Sequence, residues 1–193
     1  MSKRSARKEL RVTAYHEAGH AVAAFMLRRG ISYVTIEADK DSLGSCKHPR
    51  GIREFSTLDV AAIVDLRLRA KVEREIMILF AGDIAERQFR HRRRQVRGSW
   101  ADYGYAVDLA DYVTTGDNEL ELYLDWLYGR TENLITRIDV WPAIEALATA
   151  LLEDKRIGQR RARRIIQAAR KAAMQKILDE HDGGVAGASP PAS

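Results

Sequence analysis

A mainly α-helical domain with one small β-hairpin behind its first long helix is the fold class the sequence predicts, on three observations. Only 7% of the 193 residues are aromatic and only four are proline, against 46% hydrophobic and 31% charged, a balance that favours helix in a globular body. Apolar residues recur at helical spacing over long stretches punctuated by Gly30, Gly116 and Gly158. A β-branched and aromatic run occurs early, at Ile31-Ser32-Tyr33-Val34-Thr35-Ile36-Glu37. The length suits one well-buried domain, placed at residues 11–181 between a basic flexible arm at 1–10 and a disordered Gly/Ala/Ser/Pro tail at 182–193.

The elements follow in order. A first helix is expected over residues 12–29, with Gly30 where a left-handed residue ends helices. The run 31–37 is the first strand of the hairpin, Asp39-Lys40-Asp41-Ser42 its turn, and Leu43-Gly44-Ser45-Cys46-Lys47-His48 its second strand, ended by Pro49 and Gly51. Residues 57–89 have helical composition, with Leu58, Leu66, Ile76, Phe80 and Ile84 on the apolar stripe. That length, and a weak stripe at 67–71, predicts a bend there. Helix resumes over 101–115, where Tyr105, Leu109, Ala110 and Val113 are candidates for the core, and again over 118–137. Pro142 marks a further start for a helix to Asp154, Ile157-Gly158 breaks it, and a basic amphipathic helix covers 159–180.

Charge and composition exclude several classes. The net charge of +5 and pI near 9.4 favour acidic partners only weakly. The densest charge run, residues 90–97, contains no interleaved aromatic and reads as a solvated loop. Together with the basic run 160–164 it also motivates an adaptor reading, and since no nucleic-acid motif is present, nucleic acid is disfavoured as a partner. No apolar run approaches the length of about 18 residues that spans a bilayer, and the basic N-terminal stretch is not followed by the apolar segment of a secretory signal. The single cysteine, Cys46, allows no internal disulfide and suits a reducing, cytoplasmic location.

Chemistry concentrates in His16-Glu17-Ala18-Gly19-His20. Four residues are little more than one helical turn, so both imidazoles leave the same face and can reach one ion. Glu17 then lies beside that ion, where its carboxylate can accept a proton from water attacking a carbonyl carbon and return it to the leaving nitrogen. A catalytic zinc needs a third protein ligand. The extended H-E-x-x-H-x-x-G-x-x-H form is absent, because residues 23–26 are Ala-Ala-Phe-Met, and many carboxylates remain eligible.

At this point the chain resembles the peptidase domain of the FtsH family of AAA+ zinc metalloproteases. The likeness is carried by His16-Glu17-Ala18-Gly19-His20-Ala21, by Tyr33-Val34-Thr35-Ile36 with Leu43-Gly44, by Leu79-Phe80-Ala81-Gly82-Asp83-Ile84-Ala85-Glu86, and by Gly98-Ser99-Trp100-Ala101-Asp102. The resemblance implies a helical FtsH-type metallopeptidase fold, Zn2+ held by His16, His20 and Asp102, and Glu17 as catalytic base. It also implies that the strand containing Leu43, Gly44, Ser45 and Cys46 lies at the substrate cleft. Glu86 is a candidate to orient a ligand histidine, since metal-bound imidazoles usually donate their other N–H to an acceptor. No G-x-x-x-x-G-K-[ST] phosphate loop is present. Zinc-dependent, ATP-independent hydrolysis of unfolded or flexible polypeptides is therefore the expectation. A homo-oligomer or a peptidase subunit served by a separate ATPase remains open, as does a non-catalytic adaptor built on the same scaffold.

Overall fold

The computed structural model describes residues 3–37, 44–47, 66–91 and 100–185. Among them are six helices, α1 (Lys3–Met26), α2 (Leu66–Phe89), α3 (Trp100–Asp111), α4 (Asp117–Ile135), α5 (Trp141–Asp154) and α6 (Gln159–Val185). Three short strands accompany them, β1 (Tyr33–Thr35), β2 (Ser45–Lys47) and β3 (Arg156–Gly158). The fold is thus mainly helical with one small antiparallel sheet. No described helix is long and apolar enough to cross a membrane.

Helix α1 is central because one side of it is built from small residues. Ala14, Ala18, Ala21, Val22, Ala23 and Ala24 are all inaccessible to solvent, and α1 packs against α2, α5 and the sheet. A Cβ on Gly19 would lie 2.5 Å from the Ala81 carbonyl oxygen and 2.7 Å from the Ala85 Cβ, so the α1 and α2 backbones meet at this residue. Around that crossing, Val72, Ile76, Phe80 and Ile84 of α2 join Leu127 of α4 and Ile144, Leu147 and Leu151 of α5 in a continuous core.

The hairpin forms in the expected place, with Tyr33 opposite Lys47, Val34 opposite Cys46 and Thr35 opposite Ser45. Its turn, with Leu43, lies outside the described residues. On its other side β1 pairs antiparallel with β3, giving the order β2-β1-β3. The sequence predicts only a helix break at Ile157-Gly158. The break occurs, but Ile157 is buried and stands opposite Val34 of β1, so that residues 156–158 form a third strand.

Several boundaries differ from expectation for identifiable reasons. Helix α1 begins at Lys3, not Val12, since residues 3–11 contain neither glycine nor proline and Leu10 packs against the core. It ends at Met26, and the left-handed residue is Arg28, φ 59°, instead of Gly30. The Arg29 amide reaches back to the Ala24 carbonyl at 2.7 Å and the Arg28 amide to Phe25 at 3.2 Å, the paired bonds of a Schellman turn. Helix α2 runs uninterrupted through 67–71; the stripe is weak there because Arg67, Ala70 and Lys71 face solvent. Leu66 and Tyr105 are exposed, not core. On α3 the buried positions are Ala106, Leu109 and Ala110, continued by Val113 in the turn that follows, a stripe that leaves Tyr105 to one side.

Candidate metal centre

The α1–α2 crossing brings His16 and His20 over the backbone of α2, and the first turn of α3 brings Asp102 against both. The His16 and His20 Nε2 atoms are 3.0 Å apart, and the Asp102 Oδ2 lies 3.2 Å from the first and 3.5 Å from the second. Among the described residues this is the one group of three metal-ligating side chains whose donor atoms all lie within 4.8 Å of one another. His20 is buried, and the two rings meet edge to face at 84°.

What holds the rings is a second set of groups. His20 Nδ1 lies 2.7 Å from the Ile78 carbonyl oxygen, which can only accept, so this nitrogen carries the proton and Nε2 turns its lone pair inward. His16 Nδ1 faces the Glu86 carboxylate at 3.6 Å, an ion-pair distance longer than a hydrogen bond. Glu86 is itself held by Arg90, Nε to Oε1 3.0 Å. Two inward lone pairs and a carboxylate oxygen at such separations repel unless a cation lies among them, a proton or a metal ion. In the metal-free protein burial works against charge on His16, yet the Asp102, Glu86 and Glu17 carboxylates outweigh it and lift its pKa to about 10. Burial likewise opposes charge on Asp102, but the two histidines hold its carboxyl well below the usual range. The donor set, two imidazoles and a carboxylate, suits zinc with a coordination position open.

Gly82 makes the arrangement sterically feasible. A Cβ there would overlap the Nε2 and Cε1 atoms of His20 and come within 2.9 Å of His16 Cε1. The sequence indicates close packing at Gly82 but not that its missing side chain leaves room for the ligands, nor that the Ile78 carbonyl orients His20. Both depend on where α2 crosses α1, which no local pattern encodes.

Glu17 is buried on the same turn of α1. A Cβ on Gly44 would stand 2.9 Å from its Oε1 atom and 2.9 Å from Thr13 Cγ2, so the chain entering β2 lies against the carboxylate. Cys46 follows on β2, and burial together with the Glu17 charge pushes its thiol pKa up, keeping it protonated and inert. The expected site residues His16, Glu17, His20, Asp102, Glu86, Gly44 and Cys46 therefore gather in one place, with Ser45 between the last two on the strand. His91 and His181 are exposed, and His48 lies outside the described residues. Comparison of the chain with known family models and with curated proteins finds no match.

Proposed function

We propose that the protein is a zinc-dependent metallopeptidase that hydrolyses peptide bonds in unfolded or flexible polypeptides and needs no ATP of its own. The observation that carries this reading is the convergence of His16, His20 and Asp102, donor atoms within 4.8 Å of one another, on the helix turn that also bears Glu17. When bound, zinc supplies a Lewis acid that polarises the scissile carbonyl and makes water a better nucleophile. His16, His20 and Asp102 hold the ion, while the Ile78 carbonyl and Glu86 fix the direction of the imidazoles. The Glu17 carboxylate takes a proton from the attacking water and delivers it to the leaving nitrogen. The chain beside it, at Gly44, Ser45 and Cys46, offers main-chain groups along which an extended peptide can align without regard to its sequence. A separate ATPase, or a ring of copies, is the kind of partner that would extend such activity to folded substrates.

Elemental analysis of the purified protein beside Asp102→Ala and Glu17→Gln, with casein hydrolysis assayed on the same samples, tests the proposal. Stoichiometric zinc and chelator-sensitive cleavage are expected in the wild type, with zinc lost or weakened in D102A. E17Q should keep its zinc and cleave about a hundredfold more slowly or worse. Bound zinc with no cleavage would favour the adaptor reading, and wild-type protein that takes up no metal would overturn the proposal.

A further inference from the structure

Where the N-terminal turns of α1 meet the end of α2 and the turn after α5 lies a groove of about 1160 Å3. Its cations are Arg7, Lys8 and Arg11 from α1, Arg90 from the end of α2, and Lys155, and among the described residues no carboxylate lines it. Among the described residues no Asp or Glu lies within ion-pair distance of Arg7, Lys8 or Arg11. Converging like charges in a concavity with low-dielectric walls concentrate a positive potential that an anion would relieve.

The groove is also partly apolar. Leu10, Phe89 and Leu152 contribute to its wall, which inorganic anions would leave unused. Nucleic-acid bases would need a free aromatic face, but the Phe89 ring is already stacked on Tyr15 at 4.0 Å and covered by the Arg11 guanidinium at 5.1 Å. A flat membrane surface matches a concave groove poorly. Carboxylates alternating with aliphatic side chains on a flexible backbone match both its charge and its wall, and the volume takes several residues.

We infer that this groove binds an acidic, leucine-bearing segment of a polypeptide. Arg90 connects it to the metal centre, since this residue lines the groove and also holds Glu86, which faces His16. That the bound segment belongs to the substrate, anchored at a distance from the bond to be cut, rests on the function proposed above.

The test uses the full chain carrying E17Q, so that the probe is not consumed. A fluorescein-labelled peptide of alternating Glu and Leu is titrated by anisotropy, beside a Lys-Leu counterpart, labelled oligo(dT) and vesicles containing phosphatidylserine. The acidic peptide should bind with an affinity that falls as salt rises, and adding R7E and K8E should weaken it about tenfold or more while zinc content is unchanged. Where charge reversal disturbs α1, R7Q with K8Q gives the same readout at smaller amplitude. No binding, affinity indifferent to both variant pairs, or tighter binding of oligo(dT) or the vesicles would overturn the inference. Binding by E17Q together with a wild type that never cleaves casein would strike the peptidase reading alone; cleavage without groove binding would strike the groove alone.

Discussion

Under the proposed function, a single methyl group added at either of two glycines should separate metal binding from catalysis. Gly82 faces the ligand ends of His20 and His16, so Gly82→Ala must displace an imidazole from the position in which both Nε2 atoms meet Asp102. Its expected outcome is protein that folds and loses zinc, read by elemental analysis. Gly44 faces Glu17 and Thr13 instead, and Gly44→Ala should push the carboxylate aside while leaving His16, His20 and Asp102 in place. Zinc should remain stoichiometric and kcat should fall about tenfold to a hundredfold, since a shifted proton acceptor loses much of its contribution. If G44A lost zinc and G82A kept it, these assignments would be reversed. The sequence makes the donors legible, His16 and His20 by spacing and Asp102 by family likeness. It leaves the steric partners unread, because the space that Gly82 vacates acquires meaning only when α2 lies across α1.

At the scale of elements the crossing of α1 and α2 carries the site, and Gly19 sets its distance. Unlike Gly82 and Gly44, Gly19 faces backbone: the Ala81 carbonyl stands where a Cβ would go and cannot swing away as a side chain does. Gly19→Ala should therefore separate the helices and cost about 1–3 kcal/mol of stability or more, with a lower midpoint in urea and weaker zinc binding in the same protein. Unchanged stability in G19A would show that the helices can part without loss. Which elements exist was largely legible, because α4, α5 and β1 announce themselves through periodicity, Pro142 and β-branched residues. β3 was not, since Arg156-Ile157-Gly158 has a single apolar residue and becomes a strand only because β1 offers it a partner. The same holds for Arg28: a Schellman turn is closed by backbone bonds, which any residue can make, and so glycine two positions later misleads.

For the molecule as a whole, the question is what keeps α6 in place. Over residues 159–181 of this helix, the part whose burial is described, only Ala162 and Ile166 are fully buried, a short apolar contact for so long a helix. The buried Asp139, in the turn between α4 and α5, supplies a polar fastening: it accepts from Arg170 of α6 at 3.0 Å and 2.5 Å and from Arg137 at 3.0 Å and 3.2 Å. Burial disfavours charge on Asp139, but bonds from Arg170 and then Arg137 outweigh that cost and hold its pKa below the ordinary value. A carboxyl with a depressed folded pKa binds fewer protons folded than unfolded, so its contribution is complete above the unfolded value, about 3.9, and is lost as pH falls toward the folded one. Asp139→Asn should accordingly cost about 1–3 kcal/mol near neutral pH, a figure kept low because both arginines are partly exposed. The gap between D139N and wild type should then narrow below about pH 4. Urea denaturation across pH measures it, with hydrogen exchange reporting whether α6 opens first. Zinc content should not change, because Asp139 touches none of the ligands, and a gap that stays constant into acid would mean that packing, not the ion pair, secures α6.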